Sequence, residues 1–111
     1  MSAANLFQRL PQPTTGEVTE DLLRHRNLVI ERIISSGHPP PTTYDQTQDE
    51  WVLLLQGYAT LDIAGETLDL GPGDHLFIPA HTPHRLLQTS LEPPCLWLAV
   101  HLHPDAPQAA A

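Results

Sequence analysis

The sequence predicts an all-β domain, a sandwich or barrel of about seven or eight short strands. Three observations carry this. Twelve prolines and six glycines divide the chain into short apolar segments. Those segments are rich in β-branched residues or alternate polar with apolar, and they recur at spacings of about 8 to 12 residues. No stretch longer than "TEDLLRHRN", Thr19 to Asn27, carries an amphipathic helical pattern.

Taken in order, residues 1–27 read as an N-terminal arm available for a dimer contact. Within it Thr19 is placed to cap a short helix, with a strand as the alternative. "LVIERIIS" (Leu28–Ser35) is a strand by its β-branched content. "SSGHPPPTTYDQTQ" is a loop stiffened by three consecutive prolines. "EWVLLLQG" (Glu50–Gly57) is the next strand. "YATLDIAG" and "ETLDLG" then alternate around Ala64-Gly65, a hairpin signature. "GPGDHLFIP" gives a glycine-rich turn and a strand. "HRLLQTS" and "CLWLAVHLH" supply two more strands, parted by "EPP" at Glu92–Pro94. Residues 28–103 are therefore the barrel, and 104–111 a disordered tail.

A chain of 111 residues accommodates one core. Thirteen acidic residues face five arginines and no lysine, a net charge of −8, which repels phosphate backbones and excludes nucleic acid as an expected partner. No apolar run approaches the roughly 18 residues that span a bilayer, so no membrane partner is expected. The N-terminus "MSAANLFQRLPQP" lacks the basic and apolar regions of a secretory signal, which makes the cytoplasm the expected location. Cys95 stands alone beside "CLWLAV" and reads as a packed core residue.

One constellation carries chemistry. In "IPAHTPHRL", His81 and His84 flank a proline, with Pro79 and Gly73 before them. Thirty-four residues before His84 lies Glu50, and six residues separate Glu50 from Gly57. Glu50, Gly57, Gly73, Pro79 and His84, in this order and spacing, resemble the two motifs of the cupin superfamily, of the small single-domain bacterial type. The resemblance implies a single cupin-type antiparallel β-barrel or jelly roll (a double-stranded β-helix).

The chain departs from the family pattern where the His-x-His pair would stand: Tyr44-Asp45-Gln46 occupies that place. His81 replaces an internal glycine of the second motif and Gln88 its final asparagine. Residues two apart on a strand share a face, so Tyr44 and Gln46 are expected to line the cavity and Asp45 to turn away; a register one residue longer would bring Thr43 and Asp45 inward instead.

The resemblance implies a divalent metal (Zn, Fe, Mn or Ni) and a small-molecule ligand in the barrel. The expected metal ligands are Glu50, His84, Gln46 and His81, and the expected catalytic residues His81 and Tyr44. Mixed nitrogen and oxygen ligation suits first-row divalent ions. If the chain is an enzyme, a metal-dependent isomerase of the phosphomannose isomerase type or a dioxygenase is implied. The alternative is a cupin that binds a small ligand without metal or turnover. A phosphosugar needs cations, and Arg85 is the only arginine nearby. His101 shares strand parity with Trp97 and Ala99, and reads as a structural residue rather than a ligand. Trp97 is expected in the core. Trp51 is expected on the face opposite Glu50, toward a second layer or a partner. Open sheet edges and the segment Asn5–Leu10 point to a two-fold homodimer.

Overall fold

The computed structural model describes residues 1–104. It contains eight strands: β1 (Glu17–His25), β2 (Leu28–Ser35), β3 (Asp49–Gln56), β4 (Ala59–Ile63), β5 (Glu66–Leu70), β6 (His75–Ile78), β7 (His84–Thr89) and β8 (Cys95–Leu102). They form a five-stranded sheet in the order β1-β2-β8-β3-β6 and a three-stranded sheet in the order β5-β4-β7. Every pairing is antiparallel. This is the all-β architecture that the strand spacing predicts, in the jelly-roll form that the cupin resemblance implies. Among the described residues no helix is long and apolar enough to cross a membrane.

Local chemistry explains the tight turns. Ala64 and Gly65, between β4 and β5, both have positive φ (50° and 89°), which is the backbone of a two-residue hairpin turn and costs glycine little. Gly57, after β3, has φ 90°, and a Cβ there would lie 2.7 Å from Ser90 Oγ and 2.9 Å from Cys95 Cα. No other residue fits that approach.

The arm expected over 1–27 needs correction, because its second half belongs to the sheet. β1 pairs along β2 from Glu17↔Ser35 to His25↔Leu28, through a turn at Arg26 and Asn27. Neither a helix nor a free arm forms there. β1 is an edge strand with six of its nine residues exposed, so it lacks the apolar alternation of a covered strand. The segment Asn5–Leu10 lies on its own chain: the Arg32 guanidinium donates to the carbonyls of Leu6 (3.0 Å), Gln8 (2.6 Å) and Arg9 (3.3 Å), and pairs with Glu20 at 2.7 Å. Beyond Pro104 the tail expected at 104–111 falls outside the described residues.

The core lies between the sheets. Val52, Leu54, Ile78, Trp97 and Ala99 of the large sheet meet Ala59 and Leu61 of the small one, all of them buried. Cys95 is fully buried, with its Sγ 3.1 Å from the Tyr58 carbonyl, as the packed reading requires. Toward one end of this core the apolar filling stops and polar side chains take over.

Candidate functional site

The pairing of three strands places the polar end. Glu50 on β3 lies directly opposite His101 on β8 and Ile78 on β6, so the carboxylate and the imidazole share the inner face. β7 supplies His84 from the other sheet. The loop before β3 is fastened to the start of β7 by backbone bonds: Tyr44 N–H to the His84 carbonyl (2.7 Å), His84 N–H to the Tyr44 carbonyl (3.0 Å), and His81 N–H to the Gln46 carbonyl (2.7 Å). That clasp brings Tyr44 and Gln46 to the same cavity as Glu50 and His84, in the register that leaves Asp45 outside.

The cavity has a volume of about 130 Å³. Its floor is apolar, formed by Ile33, Val52, Leu61, Ile78, Leu86 and Trp97. Its polar wall adds Glu17 and Glu31 to the residues already placed. A larger depression of about 650 Å³, lined by Tyr58, Thr60, Asp69 and Gln88 among others, is open to solvent and holds no converging group of ionisable side chains. The chemistry therefore sits in the smaller cavity.

His84 Nδ1–H donates to the Thr82 carbonyl at 2.9 Å, which leaves the lone pair of Nε2 facing Glu50, 3.8 Å from its Oε1. That is too long for a hydrogen bond. Both side chains are only 9% exposed. The Gln46 Oε1 is buried with no hydrogen-bond partner among the described residues. Three acceptor atoms thus share a cavity, and among the described residues none of them receives a hydrogen bond. An arrangement of this kind is costly unless a cation or a donor-bearing ligand satisfies it.

The ionisation of the site follows from its burial. Desolvation pushes the Glu50 carboxyl above its ordinary value of 4.5, against the pull of His101 and His84. Glu17 moves the same way, mainly by desolvation, although its Oε2 accepts the Ser35 hydroxyl at 2.9 Å. Tyr44 is pushed above 10.0 by burial and then by the charges of Glu17 and Glu50, so it stays a neutral phenol. Its ring stacks on His84 with centroids 5.7 Å apart.

His81 departs from expectation. Its φ of 60° turns the side chain out to solvent, where it is 69% exposed and 3.3 Å from Asp45 Oδ1. It does not line the cavity and reaches neither Glu50 nor His84; its backbone, not its imidazole, serves the site. His101, read as a structural residue, faces inward with Trp97 and Ala99. It is buried inside, with Nε2–H donating to Glu31 Oε1 at 2.5 Å and Nδ1 accepting from the Gln48 amide at 3.3 Å. The Glu31 bond, more than burial opposes it, raises the His101 pKa above 6.5. Both ring nitrogens are engaged, so His101 anchors Glu31 rather than offering a free lone pair. The parity of Val29, Glu31, Ile33 and Ser35 along β2 was the available signal for Glu31, and that of Trp97, Ala99 and His101 for its partner.

Among the described residues no group of three or more His, Cys, Asp or Glu side chains is disposed to hold a metal. A protein shell would draw on Glu50, His84 and the orphaned amide oxygen of Gln46. Those donors fit a divalent first-row ion, since all three have a lone pair free and the Nδ1 bond of His84 is the kind that orients a ligating imidazole.

The profile of the cupin domain family matches residues 30–105. No curated protein matches the chain. Among solved structures, a candidate mannose-6-phosphate isomerase from Ralstonia eutropha JMP134 is similar at 40% identity and TM-score 0.84, covering 94% of this chain and 100% of its own. A cupin superfamily protein from Desulfitobacterium hafniense DCB-2 shares the fold at 20% identity and TM-score 0.73, over 86% of this chain and 84% of its own. The Fe(II) form of HppE shares it at 18% identity and TM-score 0.67, over 78% of this chain and 49% of its own. The match over residues 30–105, with the jelly roll and the motif residues Glu50 and His84 lining its cavity, shows that this chain belongs to the cupin domain family.

Proposed function

We propose that the chain binds a divalent metal ion through Glu50, His84 and Gln46, and beside it a small molecule in the barrel cavity. The observation that carries this is the donor deficit: a buried carboxylate, an imidazole lone pair and an unpartnered amide oxygen face one space. When bound, such an ion polarises a carbonyl or hydroxyl group. The surrounding residues orient the ligand. Tyr44 keeps its proton and offers an O–H donor, while the apolar floor excludes water from the far side.

Supporting an enzyme of the isomerase class is the name carried by the Ralstonia protein, at 40% identity; the dioxygenase reading rests on the cupin resemblance alone. Against a phosphosugar stands the absence of arginine from the cavity lining among the described residues: Arg32 is consumed by Glu20 and three carbonyls, and Arg85 is exposed. A second reading, ligand binding without metal, is favoured by the engagement of both His101 nitrogens, which leaves only two strong ligands. We also propose the homodimer, formed on the outer face of the large sheet.

Elemental analysis of untagged protein beside a Glu50→Ala/His84→Ala double variant tests the reading. One equivalent of a transition metal in the wild type, lost in the variant, supports it. No metal in either protein after incubation with Zn²⁺, Mn²⁺ and anaerobic Fe²⁺ leaves the metal-free reading.

A further inference from the structure

The polar wall of the cavity holds three carboxylates, Glu17, Glu31 and Glu50, from strands β1, β2 and β3 of one sheet, with β8 between the last two. Their partners are unequal. Glu31 is matched by His101 at 2.5 Å. Glu17 is held by one oxygen only: the Trp97 indole N–H donates to Ser35 Oγ (2.9 Å), and the Ser35 hydroxyl donates to Glu17 Oε2 (2.9 Å). Glu50, 7% exposed, makes no side-chain hydrogen bond among the described residues. A separate sign that something is bound here is the buried, unpartnered Oε1 of Gln46 on the loop across from them.

No arginine lines this cavity. Arg32 points to the other face of the sheet, and Arg85 borders a surface dent with Thr43 and Asp62. With Glu31 matched by His101 and Glu50 by a divalent ion beside His84, Glu17 would keep the Ser35 hydroxyl as its one protein partner. An anionic ligand would add charge of the same sign in a site where desolvation strengthens the repulsion.

Resting on the reading that this cavity takes a ligand beside its metal, we infer that the ligand is a small amine carrying hydroxyl groups and no anionic group. The ammonium would face Glu17 and the hydroxyls would reach the metal position and the acceptors around it. The volume of about 130 Å³ admits a molecule of roughly six to eight non-hydrogen atoms. Selectivity of this kind separates the chain from any cupin built to hold a sugar phosphate.

Isothermal titration of the full chain loaded with Mn²⁺ tests this with three probes of nearly equal size: 3-aminopropane-1,2-diol, glycerol and glycerate. The expected result is an amine at least tenfold tighter than glycerol, with glycerate showing no saturable binding. Glu17→Gln should remove the amine preference while keeping glycerol affinity within about threefold. The inference is overturned if glycerate binds as tightly as the amine, if the amine has no advantage over glycerol, if the preference survives Glu17→Gln, or if Mn²⁺ binds and none of the probes does. Titration of Mn²⁺ alone, into wild type and the Glu50→Ala/His84→Ala variant, reports on the metal separately. Amine selectivity that persists in protein that binds no Mn²⁺ would uphold the ligand class and remove the metal. The wild-type comparison decides the ligand class even if Glu17→Gln folds poorly.

Discussion

Two rows of the large sheet lie one residue apart and face opposite ways. On the inside, Val29, His101, Glu50 and Ile78 run across β2, β8, β3 and β6. On the outside, Ile30, Val100, Trp51 and Phe77 cross the same four strands. The inner row buries two ionisable side chains, each 7% exposed. The outer row is wholly apolar, yet Phe77 is 53% exposed. Stability alone favours the opposite arrangement, apolar within and polar without. The contrast is what the proposed metal and ligand site in the inner row, and the proposed homodimer on the outer row, would account for.

The largest test of this contrast removes the floor on which the inner polar groups stand. Trp97→Ala deletes a side chain only 3% exposed, together with the indole bond that orients Ser35 and through it Glu17. A loss of about 3–5 kcal/mol in urea unfolding is expected. Next in size is the cost of the buried carboxylate itself. In chelator-treated protein at pH 8, Glu50→Gln should stabilise by on the order of 1 kcal/mol, seen as a Tm rise of about 4 °C or more, because it removes a desolvated charge. A fall in Tm instead would mean that the carboxylate is satisfied without a cation.

The outer row should respond differently. Phe77→Lys is expected to change monomer stability by less than about 1 kcal/mol. It should nevertheless halve the mass seen by sedimentation equilibrium if two copies cover this face. Unchanged mass would move the interface elsewhere.

The smallest effect is one of pH. Glu17 has a folded pKa above its ordinary 4.5, so the folded state holds that proton more tightly than the unfolded chain does. Its contribution is full below pH 4.5 and is lost as pH rises through the raised value. The metal-free protein should therefore melt at a higher temperature near pH 5 than the Glu17 charge allows near pH 8, and Glu17→Gln should flatten that slope. An equal slope in the variant would assign the pH dependence to other groups.

Much of this was legible without coordinates, and the misses have identifiable causes. Strand β3 and the hairpin at Ala64-Gly65 follow from alternation and turn chemistry, which are local. Tyr44 and Gln46 reach the cavity because the clasp of their loop to β7 selects one of two registers that spacing left open. Over β1 the sequence leaves helix and strand both open, because an exposed edge does not need the apolar pattern that marks a covered one. His81 was misjudged because its type and position suggest a ligand, whereas its orientation depends on one positive φ.

The sequence by itself determined an all-β chain, its main strands and turns, the positions of Glu50 and His84, and a charge balance hostile to anions. Only the tertiary structure decided that Glu17, Glu31 and His101 join them, that His101 is tied to Glu31, and that His84 and Gln46 are left with lone pairs and no donor. The physical reason is range. Alternation and turns are written over a few neighbouring residues, but the company a buried polar group keeps is set by residues 53 or 70 positions apart, as in Gln48–His101 and Glu31–His101.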